Sequence, residues 1–537
     1  MKKILTATVL AAVMLCIVRS SFAQDSLHLV MTLTGESYVK RITNAVGVGD
    51  VNGDGNADFL VSMPTSDRLR PYGGEARLYL GGAKFDASRY VAFTIRDSLV
   101  AGFGMGAGAG DVNGDGYDDI LISAVFNSGG ERKGIVYLYL GGKDIDTVSR
   151  FSFYDKYTGM DLGFSISGAG DVNGDGYDDF LIGEPYNWTD AIGKAYLFLG
   201  GKTPPTEPAV TFVSDSVGDN FGYSVRGIGN VNGDRFDDFA ISTRGRTDRL
   251  NVYLGEEEVN ANPDTALAGQ AVGAVVAGDG DIDGDSYPDV MIGYPIVVCY
   301  GSNGSSIVRT TPFNVSERFS DFGSSIAIDG DVNGDRTSDI LMGGENHKNR
   351  DGIMVGGACV YLGGSVIDTV PSFCLEGETK WSQFGFSVSY VGDYNGDGYD
   401  EAIVVAPGYP DTTYEQLNRL GKVYVYSYKK IDAIKNRQEP LDPESFHLKQ
   451  NYPNPFNPTT TIKFALPTQS QVTVTIYDIL GREVKELVND RLQAGYYHFS
   501  WNASMYATGV YFYRIVAQSL SGDRRSFVKV KKLLLLK

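Results

Sequence analysis

Asp111, Asn113, Asp115 and Asp119 fall within nine consecutive residues, DVNGDGYDD, and the same nine letters return from Asp171 to Asp179. Side-chain oxygens at positions 1, 3, 5 and 9 can converge on one point. The carbonyl of position 7 adds a fifth oxygen, and Gly at position 6 permits the left-handed turn that wraps the loop. Five hard oxygens plus water suit Ca2+. Mg2+ demands a tighter octahedron and dehydrates reluctantly, so it is the weaker candidate. The logic is that of a helical calcium loop, with the last ligand at 9 rather than 12 and strands as flanks.

Aligned with itself, the chain contains seven such loops. Loop one offers Asp50, Asn52, Asp54, Asn56 and Asp58; loop two Asp111, Asn113, Asp115, Tyr117 and Asp119; loop three Asp171, Asn173, Asp175, Tyr177 and Asp179. Loop four offers Asn230, Asn232, Asp234, Phe236 and Asp238, and loop five Asp281, Asp283, Asp285, Tyr287 and Asp289. Loop six offers Asp331, Asn333, Asp335, Thr337 and Asp339, and loop seven Asp393, Asn395, Asp397, Tyr399 and Glu401. In every loop the residue at position 7 serves through its carbonyl. Asp, Asn and Gly also make good turns with no ion present. Turn formation, however, does not call for carboxylates at 1, 5 and 9 in seven copies, and the pattern favours up to seven calcium sites.

The loops are unequal. Loop five carries four ligand carboxylates, loop four only Asp234 and Asp238, and the others three each. Loop four should bind most weakly. Arg235, Ser286 and Arg336 stand where the other loops have Gly, and a non-Gly residue held in a left-handed conformation costs on the order of 1 kcal/mol or more.

Loops of this kind need rigid elements to aim them. Their spacing averages ~57 residues, the length of a propeller repeat. An alternating apolar segment such as FGFSVSYV precedes each loop and one such as FLIGEP or ILISA follows it. A third strand such as GKAYLFLGG and a looser fourth such as SRFSFYD complete the unit. The expected fold is all-β: a seven-bladed β-propeller over residues 24–430, then a small Ig-like antiparallel β-sandwich. No fourth strand follows GKVYVYSY, whereas LHLVMTLTG precedes loop one. The amino-terminal strand is therefore expected to pair into the last blade and remove an open edge.

Composition sets the compartment and narrows the partners. Lys2 and Lys3, the apolar run from Ile4 to Val18 and the small residues around Ala23 read as a signal peptide over residues 1–23, so the mature protein is secreted. Beyond it no apolar run reaches the roughly 18 residues of a membrane span. Cys299, Cys359 and Cys374 remain, an odd count; Cys359 and Cys374 could face each other across a hairpin, but buried free thiols are the preferred expectation. Residues 447–537 carry a net charge of +7, and residues 24–446 carry −29. Such an acidic body repels nucleic acid and anionic membrane and attracts cations.

FGYSVRGIGNVNGDRFDDFAIS (Phe221 to Ser242) and FGFSVSYVGDYNGDGYDEAIVVAPG (Phe384 to Gly408) resemble FG-GAP repeats, the units of the amino-terminal β-propeller of integrin α chains and of many bacterial surface proteins. The resemblance spans residues 27–430 and implies Ca2+ at the ligand positions named above. AVGA, from Ala271 to Ala274, departs from the FG element expected there.

Residues 431–447 read as a polar linker with two prolines. Residues 448–537 then show NYPNPFNPTTTIKF, YDILGREVKELV, GYYHFSWNA, ATGVYFYRI and the basic tail KKLLLLK. Together these resemble the type A carboxy-terminal sorting domain of the type IX secretion system. That resemblance implies export through the periplasm and across the outer membrane, often with attachment to the cell surface. His28, His347, His447 and His498 are scattered, and no HExxH, GxSxG or phosphate loop occurs, so the chain is not expected to be an enzyme. The expected role is a calcium-loaded binding or adhesion module for a protein or glycan, with Tyr186 and Trp188 as candidate loop tips. The alternatives are an extracellular enzyme acting on polysaccharide or lipid head groups, and a purely structural envelope protein.

Overall fold

The segment after each loop opens on an acid followed by an apolar run, as in DFLIGE and DFAIST. In the computed structural model each forms a second strand whose described side chains are buried. Residues 26–536 are described except 38–39, 65–73, 84–85, 96–99, 128–133, 155–160, 186–191, 246–247, 270–274, 294, 314, 316–321, 350, 366, 368, 411–418, 430–445, 450, 452–453, 494 and 521–525. The signal peptide, residues 431–445 of the linker, Ala271 to Ala274, Tyr186 and Trp188 thus lie outside the described residues. The chain divides into two compact units, residues 1–431 and 432–537.

Unit one consists of seven four-stranded antiparallel sheets. Sheet one comprises Asn44–Gly49, Asp58–Met63, Glu75–Tyr79 and Val91–Thr94, in that order from the inside out. Sheets two to six begin with Val100–Gly110, Ser165–Gly170, Val225–Gly229, Val275–Gly280 and Ser325–Gly330, and each is likewise built from four successive strands. Sheet seven takes Ser387–Tyr390, Ala402–Ala406 and Lys422–Lys429 from the end of the unit and Ser26–Thr34 from its beginning. Leu27 is in register with Tyr428 and Thr34 with Lys422, so the amino-terminal strand completes the last sheet as expected.

First strands of consecutive sheets touch all the way round, including that of sheet seven against sheet one, which makes the ring a closed propeller. Glycine lets them converge. A Cβ on Gly227 would stand 2.6 Å from the carbonyl oxygen of Gly168 in the neighbouring sheet, and one on Gly47 2.7 Å from that of Tyr390. The apolar core is divided among the seams. Leu60, Leu78 and Phe93 of sheet one meet Phe103 and Ile122 of sheet two. At the closing seam Phe59 and Val61 of sheet one meet Met31, Ile403, Val405 and Val423 of sheet seven. Fully burying one such side chain contributes roughly 1.5–3 kcal/mol. In sheets one to six a bulge interrupts the first two strands just before the loop, as between Gly47 and Gly49, and bends the chain out of the ladder.

Unit two has a three-stranded sheet (His447–Leu448, Thr459–Leu466, Gly495–Asn502) and a four-stranded one (Glu483–Leu492, Ser470–Asp478, Gly509–Ser519, Ser526–Leu535). One core joins them, with Ile462, Phe464 and Trp501 from the first against Val474, Tyr513 and Leu533 from the second. Among the described residues no helix is long and apolar enough to cross a membrane.

One expectation is overturned. Cys359 and Cys374 are not free thiols but a disulfide. Antiparallel pairing of the last two strands of sheet six places them directly opposite each other, and Cys374 lies on the exposed outermost strand rather than in the core. Among the described residues Cys299 is the free cysteine; it is buried, which pushes its thiol up to about 12.

Candidate metal loops

All seven loops join a first strand to a second and therefore share one rim of the ring. Position 1 organises the turn. Asp50 Oδ1 accepts the N–H groups of Gly53 (2.8 Å) and Asp54 (3.1 Å), and its Oδ2 accepts that of Gly55 (2.7 Å). Asp171, Asp281 and Asp331 repeat this set of three bonds. Drawing in the N–H of position 6 forces a left-handed backbone there, at φ 85° for Gly55, 77° for Ser286 and 72° for Arg336. Two of the three strained turns expected from the sequence are thus present.

Arg235 is the exception, because loop four folds differently. Asn230 offers an amide where the other loops offer a second carboxylate oxygen. Its Nδ2 donates to the carbonyl of Asp234 (3.0 Å), and Arg235 is not among the residues with positive φ. Asn232 Nδ2 donates to Asp234 Oδ2 (2.8 Å), while Asp234 Oδ1 accepts the N–H of Phe236 (2.7 Å). The bonds on the position-5 carboxylate recur in loops three and six, so what sets loop four apart is Asn230, which brings an amide and no charge to position 1.

Position 9 ties the loop to its own sheet. Asp58 Oδ2 accepts the N–H of Val51 (3.0 Å) and Oδ1 that of Gly81 (2.7 Å), at the end of the third strand. Asp119, Asp179, Asp238, Asp289 and Asp339 bond in the same way. Glu401, longer by one methylene, accepts from Tyr394 N–H (2.9 Å) and Asn395 Nδ2 (2.5 Å). All seven are fully buried. Burial pushes Asp58, Asp119, Asp238, Asp289 and Asp339 up to about 7 and Asp179 and Glu401 up to about 8; acids at positions 1, 3 or 5 push the same way. Adjacent positive charge is what would restore the ionised form.

Positions 3 and 5 complete the set. Asn173 and Asn333 each donate Nδ2 to the position-5 carboxylate, Asp175 or Asp335, at 3.0 Å. Loop five has Asp283 at position 3 and no such amide. There one carboxylate oxygen each from Asp281, Asp283 and Asp285 lie within 4.8 Å of one another, a group able to hold a cation. Oxygen donors alone in a tight turn fit Ca2+.

Two further positions carry weight that the ligand pattern did not assign. The position-7 side chain packs on the position-4 glycine of the preceding loop. A Cβ on Gly53 would stand 2.6 Å from the Tyr117 ring, and one on Gly114 2.6 Å from Tyr177. Position 8 reaches back as well: Asp118 Oδ2 accepts the N–H of Asp50 (2.7 Å). The signal was present in the recurrent aromatic-Asp pair ahead of position 9 (Tyr117-Asp118, Tyr177-Asp178, Phe236-Asp237, Tyr399-Asp400).

On the ring axis the first strands enclose a cavity of about 580 Å³. The charged groups among its described lining are Asp178, Asp237, Asp279, Asp329 and Arg226. Arg226 of sheet four bonds Asp329 of sheet six at 3.0 Å, passing Asp279 of sheet five. Enclosure within the channel and the charge of Asp329 push Asp279 up to about 6, with Arg226 opposing. The four histidines are not gathered: His28 lies in sheet seven, His347 in the connection between the second and third strands of sheet six, and His447 and His498 in unit two.

Residues 103–139, 162–197 and 384–426 match the FG-GAP repeat family, and residues 450–529 match the secretion system C-terminal sorting domain. Integrin alpha-6 of Gallus gallus is 31% identical over 162 residues, 29% of this chain and 15% of that protein. Integrin alpha-8 of Gallus gallus is 27% identical over 235 residues, 41% of this chain and 21% of that protein. Integrin alpha-PS2 of Drosophila melanogaster is 26% identical over 239 residues, 41% of this chain and 16% of that protein. The chain thus spans about a fifth or less of these relatives. It carries FG-GAP repeats folded as an integrin-α-like β-propeller, followed by the C-terminal sorting domain of a type IX secreted or cell-surface protein.

Proposed function

We propose that the propeller is a calcium-loaded adhesion or binding module, displayed outside the cell, for a protein or glycan ligand. The observation that carries the reading is the repetition, on one rim of a closed ring, of loops of one sequence pattern, in one of which Asp281, Asp283 and Asp285 bring a carboxylate oxygen each within 4.8 Å of one another. Positions 1, 3, 5 and 9 and the carbonyl of position 7 would hold the ions, and loop four, with Asn230 in place of a first carboxylate, would bind most weakly. Bound calcium supplies positive charge among mutually repelling acids and no chemistry. Within each loop, position 1 orders the turn through backbone N–H groups, position 9 anchors it to the sheet, and positions 3 and 5 present the exposed oxygens. A rim stiffened in this way is a suitable platform for recognition by loops. The sorting domain would engage the type IX machinery on the way out through the periplasm.

The test is capture of protein and glycan ligands by the purified propeller in calcium and in EDTA, with turnover assays on the same panel. Calcium-dependent capture without turnover supports the reading. Turnover of a captured ligand would replace it with an enzyme, and no capture in either condition, beside intact calcium-dependent melting, would leave a structural protein.

A further inference from the structure

Resting on the calcium reading above, we propose that the position-8 carboxylates are positioning residues for the metal loop of the preceding sheet, so that cation binding in one loop is tied to docking of the next. Asp118 Oδ2 accepts the N–H of Asp50 at 2.7 Å and Asp178 Oδ2 that of Asp111 at 2.7 Å. Asp237 and Asp400 do the same for Asp171 (3.0 Å) and Asp331 (2.7 Å). In each pair the N–H of the position-8 residue donates in return to the position-1 carbonyl, at 3.1 to 3.3 Å. A first ligand held at both its N–H and its C=O has its backbone fixed, and with it the point from which its carboxylate reaches into the loop. A third bond reinforces the clasp: Gly142, in the connection after the third strand of sheet two, donates to the carbonyl of Val51 in loop one (2.8 Å).

The clasp is graded around the ring. Ala57 and Ser338 at position 8 keep only the main-chain bond, to Asp393 (3.2 Å) and Asp281 (2.9 Å). Pro288 has neither a carboxylate nor an N–H, and it faces Asn230, the one position-1 residue that is not an acid. The clasp and the ligand that it would hold are therefore lost together, at one seam. The side-chain arm alone is also absent opposite Asp393 and Asp281, which keep their carboxylates, but both arms are missing only opposite Asn230.

The test is a calcium titration of the full chain, with calcium located by anomalous scattering in crystals grown at sub-saturating calcium. Losing a hydrogen bond on a charged acceptor weakens one site by about ten-fold. Asp118→Ala should empty loop one and spare loop two, although Asp118 belongs to loop two. Asp178→Ala should move the effect by one sheet, emptying loop two. Asp118→Asn, which keeps an acceptor oxygen, should restore occupancy, and Ser338→Ala should leave loop five unchanged. Loss confined to the variant's own loop overturns the proposal. So does unaltered occupancy with a melting temperature lowered equally in calcium and EDTA. Wild-type protein that takes up no calcium would instead overturn the calcium reading, and this proposal with it.

Discussion

Chelation is the most direct perturbation, and its magnitude follows from the loops. Extracellular calcium modules bind in the range of about 100 µM, so ~10 mM calcium is a hundred-fold excess. By linkage each saturated loop then stabilises the fold by about 2.7 kcal/mol. The melting entropy of a unit of about 400 residues is roughly 0.85 kcal/mol/K. Each loop is therefore worth about 3 °C, and the six loops other than loop four together about 19 °C. Thermal melts of the mature protein in calcium and in EDTA measure this, and the size of the shift counts the loops. A shift near 3 °C would leave loop five alone as a metal site. An unchanged curve in EDTA refutes the reading altogether, and an equal shift with Mg2+ at the same concentration refutes calcium as the ion.

The position-9 carboxylates give a pH signature. Their folded values of about 7 to 8 stand above ordinary values of 3.8 and 4.5, so the metal-free fold binds more protons than the unfolded chain between those limits. The melting temperature in EDTA should fall as pH rises from about 5 to 8, while in calcium it should rise as protons stop competing for the oxygens; parallel curves would contradict this. Reducing Cys359–Cys374, which closes a separation of 15 residues, should remove about 3 kcal/mol in calcium and EDTA alike; no shift on adding reductant would show that the bond does not constrain the fold. Gly53→Ala should cost about 1–3 kcal/mol more than Gly55→Ala, because both glycines have positive φ but only the first lies under the Tyr117 ring. Equal losses in melting experiments would remove the ring from the account.

The ring and the site were legible to different depths. Seven copies of one motif, in phase with apolar segments, were enough for the seven sheets, and the missing fourth strand after Tyr428 pointed to Leu27–Gly35. The ligand pattern, by contrast, describes one loop at a time. Asp118 and Tyr117 act on the loop before their own, more than sixty residues away in the chain, and only the sheet geometry brings those positions together. The departure of loop four was visible as Asn230 and Arg235, but its sense was hidden. Substitution at the turn reads as strain until the amide of Asn230 is seen to release position 6. Cys374 was misread because its thiol was expected to be buried and free, whereas it lies exposed at the outer edge of sheet six.

Sheet seven has a consequence for timing. Its outermost strand, Ser26–Thr34, is the first described stretch of the chain to be synthesised, and its partner, Lys422–Lys429, is nearly the last of the unit. Until that partner is available the ring stays an open arc with a raw edge at either end. A product truncated anywhere before residue 422 is therefore a sticky intermediate rather than a smaller propeller. The cell must keep the early segment unpaired until the whole unit has been made.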